Sequence, residues 1–179
     1  MENEIEQAKR GYKILALLIL FTALILMIRH FLIENVTVGG KSMEPTFSSG
    51  DVVLQKKFAL SLERFDVVIV DGEEKNLIKR IIGLPNERIQ IIDGLVYING
   101  ALLDTDICSD LIQDGGCADE EVQLAEDEYF VLGDNRNASS DSRDFGAVKR
   151  EQIDGKVIMR ILPFSEITTD FERGANDGK

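Results

Sequence analysis

A single histidine, His30, limits the acid–base chemistry open to this chain. It abuts a long apolar run, so the remainder has no imidazole for a Ser-His-Asp triad or a Cys-His pair. No G-x-x-x-x-G-K-[ST] loop and no G-x-G-x-x-G fingerprint occurs, which removes the usual phosphate cradles. A serine nucleophile here needs another base, and lysine is the candidate. Lysine serves only when neutral, so its pKa must fall from about 10.4 by desolvation or a nearby cation. The segment NLIKRIIG, residues 76–83, offers such a setting. Read as a strand, it places Lys79 on one face between Leu77 and Ile81. Arg80 falls on the other face with Ile78 and Ile82, where ion pairing can anchor it. Alone, a strand lysine reads better as an exposed edge charge, since lysine is almost never fully buried.

Two further segments bear on that choice. In GGKSMEPTFSSGD, residues 39–51, Ser42 follows a glycine pair and precedes Met-Glu-Pro. Gly39 and Gly40 permit close approach of another chain, and Pro45 fixes the exit. An exposed hydroxyl on such a turn suits a nucleophile, and the Ser42 N–H can serve as an oxyanion donor. Without other support the segment is an ordinary Ser/Gly loop. GDNRNASSDSRDFG, residues 133–146, is dense in turn formers and paired charges. Most of it reads as an ion-paired loop, with Asp141 and Arg143 as scaffolding rather than chemistry.

The elements that must position these residues follow from patterning. Ile14 to Ile28 is uncharged, fifteen residues long, and as a helix would span about 22 Å. That is short of a hydrocarbon core of about 30 Å. With Lys13 and Arg29 snorkelling and Phe31 to Ile33 extending the apolar length, Tyr12–Ile33 reaches about 33 Å. No A-x-A-like site follows it and it has no polar face, so it reads as an uncleaved signal anchor. Lys9, Arg10 and Lys13 precede the span, while Arg29 alone follows closely. The positive-inside rule therefore puts residues 1–11 in the cytoplasm and 34–179 outside the cell membrane.

Beyond residue 33 the period changes to two, with turn dipeptides between runs, the mark of antiparallel sheet. Expected strands are Asp51–Lys57, Asp66–Val70, Leu77–Ile82, Arg88–Ile92, Leu95–Ile98, Tyr129–Leu132 and Lys156–Ile161. Asp93-Gly94 and Asn99-Gly100 are two-residue hairpin signals. The expected fold is mainly β: an antiparallel β exodomain with a small β insertion, anchored by one N-terminal transmembrane helix. Residues 34–93 and 129–170 form its main β domain, 94–128 the insertion with a solvated acidic run, and 171–179 a frayed tail. The net charge of −12 disfavours nucleic acid and broad adhesion to anionic lipid. Outside the cell, Cys108 and Cys117 can form a disulfide contributing roughly 2–3 kcal/mol, or remain free thiols. Two cysteines and one histidine are too few soft ligands for structural zinc, and neither a metal nor a cofactor is expected.

Taken together, the three segments resemble type I signal peptidases, which are Ser/Lys proteases. Ser42-Met43-x-Pro45-Thr46 is similar to that family's nucleophile box. Lys79-Arg80-Ile81-Ile82-Gly83-Leu84-Pro85 is similar to its general-base box, and Gly133-Asp134-Asn135-Arg136 with Ser140-Asp141-Ser142-Arg143 to its third. The order matches, and the chain's size resembles the short Gram-positive forms. The resemblance implies Ser42 as nucleophile, Lys79 as general base and Ser139 as the hydroxyl orienting the lysine amine. It implies the Ser42 N–H as one oxyanion donor. Gly40 stands where some members carry a hydroxyl, so the second donor is unassigned. Asn86-Glu87 replaces the usual Gly-Asp, a change that asparagine's tolerance of the left-handed turn makes local. Lys41 has no assigned role.

The implied activity is removal of signal peptides from preproteins with small residues at the cleavage site, without a cofactor. Ile33 to Ser42 is nine residues, at most about 30 Å extended, which keeps the nucleophile near the bilayer where such substrates are held. The alternatives are a non-catalytic relative assisting assembly of surface structures such as pili, a self-cleaving Ser/Lys repressor, or an anchored β domain binding an envelope protein. Loss of a dyad residue would mark the first, and both are present. The second expects a helix-turn-helix and an Ala-Gly pair, and this chain has no Ala-Gly dipeptide. The ordered boxes argue against the third.

Overall fold

The computed structural model describes residues 2–57, 61–72, 75–104 and 110–171. It divides into two compact units, residues 1–34 and 35–179. The first is a single helix, α1, Glu2–Leu32. Its stretch Lys9–Met27 is long and apolar enough to cross a membrane. Every side chain from Tyr12 to Met27 is exposed. An apolar cylinder with no polar stripe has no preferred face to bury against protein.

The second unit is built from strands β1 (Ile33–Thr37, entering from the first), β2 (Val52–Lys56), β3 (Val67–Val70), β4 (Leu77–Gly83), β5 (Arg88–Ile92), β6 (Leu95–Ile98), β7 (Ala101–Leu102), β8 (Val122–Gln123), β9 (Glu128–Leu132), β10 (Val148–Lys149) and β11 (Ile153–Leu162). They form a seven-stranded sheet ordered β1-β2-β11-β3-β4-β9-β10 and a four-stranded sheet ordered β7-β6-β5-β8. The pairings β3/β4, β4/β9, β2/β11, β3/β11 and β5/β6 are all antiparallel.

Each expected strand is present, with ends displaced by a few residues at most. The β5–β6 hairpin turns on Asp93 and Gly94, at φ of 51° and 77°, and the β6–β7 turn on Asn99 and Gly100, at 53° and 81°. Positive φ at both central residues is what a type I′ hairpin demands. The smaller sheet takes in β5, so it begins at Arg88, ahead of the 94–128 segment. β7, β8 and β10 are two-residue strands, too short for alternation to announce them.

Three apolar clusters share β4. Ile78 packs with Met43, Phe47, Val53, Val67 and Ile69. Ile81 joins Val68, Val70 and Val131, and Ile82 joins Ile89, Leu124, Phe130 and Leu132. A strand flanked on both edges and covered on both faces gives its polar members no route to water. After β11 the chain folds back over Pro163–Phe171, where Arg160 and Thr168 exchange backbone hydrogen bonds. Phe171, at the head of the expected frayed tail, is packed against Phe47, with ring centroids 5.1 Å apart. An aromatic ring with a buried partner has reason to stay ordered.

Candidate active site

Lys79 and Arg80 are consecutive cations on this doubly covered strand, and the fold treats them differently. Lys79 pairs in register with Val68 and shares its face with Ile81, which sets its stem among aliphatic neighbours. It is 2% exposed, so the edge-charge alternative does not hold: β3 and β9 occupy both edges of β4. Its Nζ lies 2.9 Å from Ser42 Oγ, 37 residues away in sequence. Burial pushes the amine below the usual lysine range; the charges of Asp141 and Asp134 oppose the shift, and the cations of Lys75 and Arg143 add to it.

Arg80 instead meets a carboxylate. Its Nε donates to Asp134 Oδ1 at 2.8 Å and its Nη2 to Asp134 Oδ2 at 2.6 Å, both side chains fully buried. Nη1 donates to the Phe65 carbonyl, and the Thr46 hydroxyl donates to Asp134 Oδ2 at 2.5 Å. The pair therefore ties β4 to the 133–136 turn and to the loop carrying Ser42. Ion pairing of Arg80, expected from strand alternation, is present; that Asp134 supplies it was not legible in the sequence.

Ser42 sits half-buried on an irregular turn, held from behind by Asn135. The Asn135 N–H donates to the Ser42 carbonyl at 3.0 Å, and its Nδ2 to the Lys41 carbonyl at 3.2 Å. Lys41 thus serves through its backbone while its side chain is exposed. Gly133 completes the fit, since a Cβ there would lie 2.5 Å from the Ser42 carbonyl oxygen and collide with Ser139 Oγ. Asn135 and Gly133 belong to the third segment, but sequence reasoning gave neither a positioning role. A turn-forming asparagine carries no sign of what it will grip.

Asp141 and Arg143 form a buried ion pair. Arg143 donates to both Asp141 oxygens, at 2.8 and 2.9 Å, and to the Arg136 and Asp114 carbonyls. Asp141 also caps the short helix α2, Ser142–Phe145, and accepts the Gly133 N–H at 3.0 Å. Burial works against its charge, but the Arg143 guanidinium and the Gly133 N–H outweigh it and hold the carboxyl below the usual range. Ser139 Oγ is buried without a well-formed hydrogen bond, although it lies near enough to Asp141 to favour the charged carboxylate. Its hydroxyl stands beside Gly133, against the same space as the Ser42 carbonyl, and makes no hydrogen bond to Lys79.

Among the described residues nothing takes up the Ser42 N–H, and a Cβ built on Gly39 or Gly40 would meet open space. The approach to the serine is therefore unobstructed on that side. Among the described residues Cys117 has no disulfide partner; it is exposed, and its Sγ lies 3.1 Å from the Ser142 carbonyl. Desolvation pushes it up from the usual thiol range. Its expected disulfide partner, Cys108, lies outside the described residues.

A hydroxyl within hydrogen-bonding distance of a buried amine whose pKa is pushed down, on a turn with a free N–H, has the parts of a nucleophile, a base and an oxyanion donor. The chain is also similar to known proteins. Residues 12–162 match the family model described as signal peptidase, peptidase S26. A signal peptidase I from Bacillus licheniformis is 35% identical over 163 residues, covering 84% of this chain and 88% of that protein. One from Bacillus amyloliquefaciens is 33% identical, covering 93% and 98%. A probable signal peptidase I-2 from Synechocystis is 37% identical, covering 86% and 77%. The crystal structure of a signal peptidase I from Enterococcus faecalis is 32% identical with a TM-score of 0.47, covering 54% of this chain and 97% of that one.

Proposed function

We propose, for a chain that belongs to the signal peptidase family, peptidase S26, that it is a membrane-bound serine endopeptidase removing signal peptides from exported preproteins. The observation that carries the mechanism is the 2.9 Å approach of the buried Lys79 amine to Ser42 Oγ. Ser42 Oγ attacks the scissile carbonyl while neutral Lys79 takes its proton. The tetrahedral oxyanion meets the Ser42 N–H, and the second donor is unassigned. Collapse expels the new amine, which receives the proton from Lys79. Water then attacks the acyl-enzyme, giving its proton to Lys79, and release of the acid restores the Ser42 hydroxyl. Asp141 with Arg143 holds the loop behind the lysine, and Ser139, whose hydroxyl makes no hydrogen bond to Lys79, belongs to that loop. No cofactor enters any step.

The helix anchors the chain in the cell membrane with its N-terminus cytoplasmic and residues 34–179 outside, where preproteins with small residues at the cleavage site present an extended segment. Residues 34–93 and 129–170 carry the catalysis. Cleavage of a model preprotein by wild type, Ser42→Ala and Lys79→Ala tests the dyad: both variants should lose activity, and full activity in either would refute it. On intact cells an impermeant maleimide should reach Cys117, only after reduction if Cys108 is bonded to it. Protection that persists after reduction until the cells are opened would overturn the topology.

A further inference from the structure

The family match ends at residue 162, and the next nine residues fold back as a strap whose contacts converge on the far side of the nucleophile loop. The geometry points to this strap, pinned by Arg160, as a positioning device for Ser42; the inference rests on Ser42 being the nucleophile. Arg160 Nη1 donates to the Thr46 carbonyl at 2.9 Å and to Asp51 Oδ2 at 3.3 Å. Its Nε donates to the Glu166 carbonyl at 2.9 Å, and Nη1 is 3.2 Å from Glu166 Oε2. The guanidinium also lies over the Phe47 ring, 5.7 Å from its centroid, and Phe171 packs on that same ring.

These contacts complete a three-point hold on an irregular loop. The loop is closed at its ends, where Val38 N–H donates to Asp51 and Gly50 N–H to Val38. Within it, the Ser42 carbonyl is taken by Asn135 and the Thr46 hydroxyl by Asp134. The Thr46 carbonyl is taken by Arg160. Thr46 is therefore gripped from both sides, four residues past the nucleophile and one turn from it through the Met43 to Phe47 hydrogen bond. A planar fork that bonds Thr46, Asp51 and Glu166 together cannot be replaced by an ammonium, which is a point charge. Loosening this end lets Ser42 drift from Lys79 without altering the open side where substrate enters.

The test is steady-state cleavage of a model preprotein by full-length Arg160→Lys and Phe171→Ala, with the folded fraction of each measured. Arg160→Lys keeps the charge beside Asp51 and loses the fork; Phe171→Ala removes strap packing and touches no charge. Both should lower kcat, by about tenfold for Arg160→Lys, with KM within twofold. Because Arg160 is not among the groups that shift Lys79, the pH profile should stay in place. Values of kcat within twofold of wild type for both variants would reduce the strap to a stability element. A displaced pH profile would overturn the inference by showing action on the base. In the same assay, an active Ser42→Ala would sink the dyad and the strap with it, whereas an inactive Ser42→Ala beside fully active strap variants would overturn the strap alone.

Discussion

Replacing Gly133 by alanine adds one methyl group, and the structure says where it would go. The backbone there does not adopt a positive φ, so the new side chain is tolerated by the chain itself. The conflict is with its neighbours: the Cβ would fall 2.5 Å from the Ser42 carbonyl oxygen and on top of Ser139 Oγ. The serine hydroxyl can rotate away, but Ser139 Cβ would still lie 2.6 Å off, and the Ser42 carbonyl is backbone and is also bonded to Asn135. Restoring ordinary contact requires roughly 1 Å of movement by the nucleophile turn or the 133 turn, and such a misplacement near reacting atoms costs about 10²-fold in rate. Overpacking of this kind costs about 1–3 kcal/mol in stability, or roughly 2–12 °C in Tm for a chain of this length. The assay is preprotein cleavage with kcat and KM resolved, alongside thermal unfolding of the same samples. The expected result is a kcat near one hundredth of wild type with little change in KM. A Gly133→Ala enzyme with kcat within threefold of wild type would refute the reasoning, because the turn would then yield without carrying Ser42.

Two other outcomes follow from the paired cations of β4. Lys79→Met should be inactive yet more heat-stable near neutral pH, because the folded state holds this lysine below its unfolded value of about 10.4 and the unfolded chain binds the extra proton. Wild-type stability then rises with pH between the two values, so the variant's advantage in Tm should shrink as pH approaches 10.4; a constant difference would contradict the depressed pKa. Arg80→Met should cost about 3–5 kcal/mol, since it leaves Asp134 buried without its cation, and lower Tm by roughly 6–20 °C. Adding Asp134→Leu should recover much of that loss, and thermal unfolding of the single and double variants checks it.

What the sequence shows of this molecule is mostly what has a period. The longer strands alternate, and the two hairpins carry their turn residues at Asp93-Gly94 and Asn99-Gly100, so both were legible. The assignment of Leu77, Lys79 and Ile81 to one face was legible for the same reason. The order of strands in the sheet was not, and that order decides whether Lys79 is an edge charge or a buried base. The grips on the nucleophile loop were hidden more deeply. Asn135 meets Lys41 across 94 residues, and Arg160 meets Thr46 across 114; an asparagine in a turn and an arginine in a strand look the same with or without such partners. Pro163 to Phe171 has no alternation at all, so nothing in it announces a packed strap.

The chemistry of β4 rests on one asymmetry that becomes visible only in three dimensions. Two adjacent cations are buried on opposite faces of β4 against different apolar clusters, and burial penalises both charges. Arg80 meets a carboxylate at 2.6 Å and forms a fully buried pair. Lys79, facing the other way, has among the described residues a serine oxygen as its hydrogen-bond partner and no carboxylate within bonding distance. Asp141 could have neutralised it, but both Asp141 oxygens are bonded to Arg143 and one also takes the Gly133 N–H. Sequestering that carboxylate keeps it from forming the ion pair that would hold Lys79 charged. The frame is therefore part of how the base is made: by occupying Asp141, Arg143 leaves desolvation to prevail at Lys79, which favours the neutral amine beside Ser42.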